Sequence, residues 1–290
     1  MDAALSELKR NAALHPEQPG LCNRLLDRAM RVATTETRLA LPASLPSLAV
    51  VCCSIKPTVE AVFRDEIARA FAHWPEFDLC VLNDARSLCE AYNRGAAATR
   101  GEWIVFCHDD IRFLREDFAA RLAAAMQRFD VFGPAGATRL LGPAALWGGP
   151  ATGLAQVSYP MPDGRIVATL CGLGPTHARA EVLDGVFIGV RRSVWADVRF
   201  DEARFDAFHL YDMDFSLSCH RRGHAVGVAQ DLHLLHASTG EFDERWSIYA
   251  DRFVRKHNLV VAPAHPNPTC GLILEDATRI AAMYDALNAA

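Results

Sequence analysis

From Leu48 onward, apolar and polar positions come in blocks. "LAVVCCSI" (48–55) is a nearly continuous apolar run of strand length, the pattern of a strand covered on both faces. Pro57 opens the next block, where proline fits the first turn of a helix. Val59, Val62, Phe63, Ala70, Phe71 and Trp74 then recur at helical spacing. "FDLCVLN" predicts a second strand, and "SLCEAYNRGAAATRG" a helix with Leu88, Ala91 and Tyr92 inward. "WIVFC" (103–107) predicts a third strand. "REDFAARLAAAMQRF" predicts an amphipathic helix with Phe118, Leu122, Ala125 and Phe129 aligned, and "DVFGPAG" a fourth strand. This alternation predicts an α/β chain with an open, mainly parallel sheet flanked by helices. Ligands in such sheets bind beyond the carboxyl ends of the strands.

The pattern loosens on both sides. Residues 1–47 predict a short helical N-terminal extension: two helices separated by "HPEQPG", then a linker around "RLALPASLPS" (38–47). Leu5, Leu8 and Ala12 form one apolar stripe, and Leu21, Leu25 and Met30 part of another, so the extension is expected to pack on the main domain. Residues 141–180 are rich in Gly and Pro, with a hairpin expected at "MPDGR" (161–165). "VLDGVFIGVRRSVW" reads as a strand feeding a helix at 191–196, and "HLYDMDFSLSCHRRG" as a helix ending at Gly223. "AVGVA" and "LHLLH" read as short strands, and "DERWSIYADRFVRKH" as a helix with Trp246, Tyr249 and Phe253 inward. The expected division is therefore the extension (1–47) and one domain (48–290). Within that domain a nucleotide-binding half spans about 48–140 and an acceptor-side half about 141–260, followed by a C-terminal tail.

Composition narrows the function. The chain has 290 residues, 51% hydrophobic and 22% charged, an ordinary globular balance. A net charge of −5 without a basic run argues against a nucleic-acid binder. Nine cysteines form no CxxC pair, so neither a zinc knuckle nor a disulfide framework is expected. Cys52, Cys53, Cys80 and Cys107 sit in apolar strand-like runs, where cysteine acts as a small hydrophobe. The N-terminus lacks the apolar core of a signal peptide, and no apolar run is long enough for a transmembrane segment. The expected setting is a soluble protein in a reducing cytoplasm.

The candidate chemistry begins at His108-Asp109-Asp110, directly after the third strand. Adjacent carboxylates at a strand tip have three common uses: holding a hard divalent cation, acid–base work, or capping the next helix. Capping accounts for one of the two. Other candidates are Asp184 in "LDG", Lys56 after the first strand, Arg191 and Arg192, Trp147, and the acids Asp212 and Asp214, which at this spacing point in different directions from a helix. No GxGxxG follows any strand, which argues against a dinucleotide oxidoreductase.

"CHDDI", the preceding "EAYNRGAAATRGEWIVF", and the later "LDGVFIGVRRSVW" and "YDMDFSLSCHRRG" together resemble the inverting family 2 of nucleotide-sugar glycosyltransferases, most of all its streptomycin-biosynthesis-type branch. The resemblance runs from about residue 48 to 257 and implies the GT-A fold, a Rossmann-like mixed sheet. It also implies a nucleoside-diphosphate sugar donor, an acceptor hydroxyl on a small molecule, glycan or peptide, and a divalent cation, Mn²⁺ or Mg²⁺. By position, Asp110 is implied to bind the metal, with His236 helping, and Asp109, His108, Asn93 and Asp184 to lie at the nucleotide sugar. Asp212 is implied as the general base, with Asp214 as support or substitute. The sequence departs from the family pattern in having His108 where an Asp is usual and Tyr211-Asp212 where Glu-Asp is usual. Those departures leave open a binding module without turnover. A sugar nucleotidyltransferase is the other alternative, although "CCSIKPTVE" offers one lysine and no glycine after the first strand.

Overall fold

The computed structural model describes residues 2–290 except 17, 35, 239, 241 and 266–269. The chain opens with two helices, α1 (Ala3–Leu14) and α2 (Pro19–Val32). Then come β1 (Leu48–Cys53), α3 (Pro57–Ala70), β2 (Phe77–Leu82), α4 (Leu88–Ala98), β3 (Trp103–Cys107), β4 (Ile111–Phe113), α5 (Phe118–Met126), β5 (Val131–Gly133) and β6 (Ala135–Ala137). The second half contains β7 (Gly153–Ala155), β8 (Val157–Pro160), β9 (Ile166–Leu170), β10 (His177–Arg179), β11 (Val182–Leu183), β12 (Phe187–Arg191), α6 (Arg192–Val198) and α7 (Tyr211–Arg221). It closes with β13 (Val226–Ala229), β14 (Leu234–His236), α8 (Glu244–His257), β15 (Cys270–Leu274) and α9 (Ile280–Ala289).

The main sheet has seven strands in the order β10-β13-β5-β12-β3-β1-β2. The first three strands lie parallel and in register, Leu48 opposite both Phe77 and Trp103; β1 and β3 are buried along their length, whereas β2, at the edge, is only partly buried. The sheet is mixed, as the GT-A resemblance implies: β12 inserts antiparallel between β3 and β5. A late strand thus separates two early ones. It brings Asp184, Gly185 and Val186, which precede it, next to the His108 end of β3: His108 N–H donates to the Val186 carbonyl. Side chains cap the starts of α4 and α8. Ser87 accepts from the Glu90 N–H at 3.1 Å to start α4, and Asp243 from the Trp246 N–H at 2.7 Å to start α8.

A second sheet, β15-β9-β8-β14-β4, stands beside the first. The helical extension is part of the fold. Leu25, Leu26 and Ala29 of α2 and Met283, Tyr284 and Leu287 of α9 bury against Ile166, Ala168 and Leu170 of β9. The C-terminal stretch, expected only as a tail, supplies both an edge strand and the helix that completes this core. Cys22 and Cys270 pair in a disulfide that ties α2 to β15, against the expectation of reduced thiols throughout; the two cysteines meet because α2 packs against β15. Among the described residues no helix is long and apolar enough to cross a membrane.

Candidate active site

A cavity of about 670 Å³ opens beyond the carboxyl ends of β1 and β3. Cys53 and Ile55 line one side, His108, Asp109 and Asp110 the floor, and Leu210, Tyr211 and Asp212 the opposite side. This is where a parallel arrangement places its ligand. The volume suits a small-molecule site.

On the floor, three side chains converge. His108 Nδ1 lies 3.1 Å from His236 Nε2, and His236 Nε2 lies 3.3 Å from Asp110 Oδ1. One ligand atom from each of His108, Asp110 and His236 falls within 4.8 Å of the others, the spacing of donors around a single ion. β14 pairs with β4, setting His236 opposite Ile111, one residue beyond Asp110. Burial raises the Asp110 carboxyl, but the His236 hydrogen bond and charge, with the Ser238 hydroxyl, outweigh it and hold the group well below the usual carboxylate range. Burial and then the neighbouring His236 push His108 down, a direction that favours the neutral imidazole. Asp109 points elsewhere and accepts from the Ser54 hydroxyl at 2.6 Å.

The opposite wall is built at the start of α7. Leu210 takes a left-handed backbone, φ 60°, at the N-cap; such conformations in a bulky residue cluster at functional sites. Tyr211 follows, buried, its hydroxyl donating to the Gly185 carbonyl at 3.2 Å and lying 2.9 Å from His108 Nε2. A Cβ at residue 185 would stand 2.6 Å from Cζ of that ring and closer still to its hydroxyl, so only glycine fits there. Asp212 is half-buried in the cavity wall. Burial first, and then the charge of Asp184, push its carboxyl up to about 7.

A protein-family model described as "Glycosyltransferase like family" matches residues 71–260. The chain belongs to that family. Among the curated proteins nothing matches it. Similar solved structures include the mannosyltransferase PcManGT from Pyrobaculum calidifontis in complex with GDP-Man and Mn²⁺, at 13% identity, a TM-score of 0.48, and coverage of 98% of this chain and 81% of that one. GalNAc-T7 with UDP, GalNAc and Mn²⁺ is similar at 11% identity and a TM-score of 0.46, over 74% of this chain and 48% of that one. S. aureus TarS 1-349 is similar at 11% identity and a TM-score of 0.42, over 72% of each chain.

In this glycosyltransferase-like chain the structure gathers His108, Asp109, Asp110, Asp184, Asp212 and His236 around one cavity. Two of the expected site residues lie elsewhere. Asn93 is buried behind the wall, its amide donating to the Phe200 carbonyl at 2.9 Å and its oxygen accepting from Trp195 Nε1 and Phe200 N–H. Asp214, only 2% exposed, holds Lys256 at 2.8 Å and His257 at 2.7 Å and ties α7 to α8. Two positions beyond Asp212 on the same helix, it is turned away from the cavity and into the core. Arg191 and Arg192 lie at the far end of β12, opposite Trp103 and the Gly101 carbonyl. Lys56 is exposed at the start of α3. Trp147 donates to the Ala262 carbonyl and stacks behind Trp246, which lines the cavity. Ser54, Ser238 and the loop before α7 carry no signal in the sequence, and Tyr211 stands out there only as a departure from the family pattern.

Proposed function

We propose that the protein is a metal-dependent, inverting glycosyltransferase, moving a sugar, of the hexose type, from a nucleoside diphosphate to an acceptor hydroxyl, as the streptomycin-biosynthesis-type resemblance implies. The charge of the cavity carries this reading. Among the described residues its wall includes Asp109, Asp110, Asp184 and Asp212 but no Lys or Arg. A diphosphate enters so acidic a site only with a cation, because unpaired charges of one sign are costly to bring together out of water.

His108, Asp110 and His236 would hold that cation. Two imidazole nitrogens with one carboxylate oxygen suit Mn²⁺ or a similar transition ion better than Mg²⁺, which prefers oxygen throughout. When bound, the ion neutralises charge on the departing diphosphate. Asp109, which accepts from the Ser54 hydroxyl, would orient the ribose or diphosphate. Asp212 takes the acceptor proton as the acceptor oxygen bonds to the anomeric carbon and the bond to the diphosphate oxygen breaks. With its carboxyl near 7, Asp212 is a base matched to neutral pH, a role that contributes about 10²–10⁴-fold. Inversion follows from this single displacement.

Calorimetric titration of UDP and GDP with and without Mn²⁺, together with transfer assays on a panel of UDP-, GDP- and dTDP-sugars, tests the reading. Nucleotide binding should require the metal, and Asp212→Asn should retain binding while losing transfer. Metal-independent nucleotide binding would overturn the role of the floor residues. Full turnover in the Asn variant would remove Asp212 as base.

A further inference from the structure

We propose that Tyr211 is a positioning residue that sets the tautomer of His108, so that a lone pair on Nδ1, and not an N–H, faces Asp110 and His236. The inference rests on the metal reading above and deepens it. A tyrosine hydroxyl has one proton to donate. It lies between the Gly185 carbonyl oxygen, at 3.2 Å, and His108 Nε2, at 2.9 Å. A carbonyl oxygen can only accept, so the proton goes to Gly185 and the hydroxyl oxygen accepts from His108 Nε2–H. A neutral imidazole protonated at Nε2 has its lone pair on Nδ1. Nδ1 is the atom that faces His236 Nε2 at 3.1 Å, inside the three-residue group.

The geometry has little freedom. Tyr211 is 4% exposed, its ring lies edge-on to Tyr92 with centroids 5.7 Å apart, and Gly185 leaves no room for any other side chain beneath the hydroxyl. Turning the hydroxyl toward His108 would strip the Gly185 carbonyl of its partner and put an N–H where a ligand must present a lone pair. A hydrogen bond to the distal nitrogen of a ligating histidine is the usual device for fixing its orientation, and losing one costs about 10–100-fold in metal affinity. The residue that replaces the family's usual acid at 211 thus serves the floor of the site from its wall.

The test measures Mn²⁺ affinity by electron paramagnetic resonance for the wild-type protein, Tyr211→Phe and His108→Ala. It adds ¹H–¹⁵N correlation spectra of the imidazole nitrogens of the metal-free wild type. Tyr211→Phe keeps the ring and should weaken Mn²⁺ binding about 10–100-fold with little change in melting temperature; His108→Ala should weaken it further. The spectra should show His108 protonated at Nε2. Unchanged Mn²⁺ affinity in Tyr211→Phe, or a His108 proton on Nδ1 in the wild type, overturns the inference. A wild type that binds no Mn²⁺ overturns the metal reading instead, and the nitrogen spectrum still decides the tautomer whether or not the Phe variant folds.

Discussion

Asp212 and Asp214 sit two residues apart on one helix and meet opposite environments. Among the described residues Asp212 borders the cavity without a cationic partner, whereas Asp214 is enclosed by Lys256 and His257. On the reading proposed here, kcat/KM should rise about tenfold per pH unit and level off near pH 7, where the Asp212 carboxyl titrates. A pH profile without that limb would remove Asp212 as base. Stability should move the other way. The folded protein holds the Asp212 proton more tightly than the unfolded chain, whose carboxyl titrates near 3.8, so stability falls as pH rises from about 4 through 7. Asp212→Asn should therefore melt higher than wild type at pH 8 and equal to it at pH 4, by calorimetry. Asp214→Asn should lose stability at neutral pH, by about 3 kcal/mol, the low end for a broken buried pair because Lys256 keeps Asp201. Urea denaturation at pH 7 measures it. The pair of acids was legible in the sequence; which one faces the cavity depends on α7's orientation against α8, which periodicity over "YDMDF" does not resolve.

At the scale of elements, the apolar runs of β1 and β3 identified themselves because a strand covered on both faces has no polar side to hide; β2, at the sheet edge, is only partly buried. The place of β12 between β3 and β5 was not legible, since pairing across some eighty residues leaves no local trace. That insertion sets Gly185 beneath Tyr211. Gly185→Ala would drive a Cβ into the hydroxyl and to 2.6 Å from Cζ of a buried, rigid ring. The substitution should cost about 1–3 kcal/mol in stability, as overpacking usually does, and should lower turnover by displacing the start of α7. A variant with wild-type melting temperature and activity would show that the ring moves aside freely.

At the scale of the molecule, a buried charge network joins the two ends of the chain. Arg115, its side chain fully enclosed, contacts Asp117 at 2.8 Å, Asp285 of α9 at 2.9 Å and Glu36 after α2 at 3.3 Å. Arg121 extends the network to Asp231 at 3.0 Å. Arg115→Met would leave several carboxylates near one another without their central cation. It should destabilise the protein by about 3–5 kcal/mol at pH 7, with hydrogen exchange accelerating first in α9 and in the segment after α2. Uniform exchange across the chain would place the effect elsewhere.

The sequence by itself determined the alternation of strands and helices, the acidic strand tip at 108–110 and the set of acids from which a base could come. Each of these follows from periodicity or from residue types side by side in the chain. Only the tertiary structure decided that His108 and His236, 128 positions apart, share one floor, that Asp212 faces the cavity while Asp214 faces the core, and that the C-terminal helix completes the N-terminal core. Contacts over such separations arise from strand order and helix packing, which depend on the whole chain burying its apolar faces together.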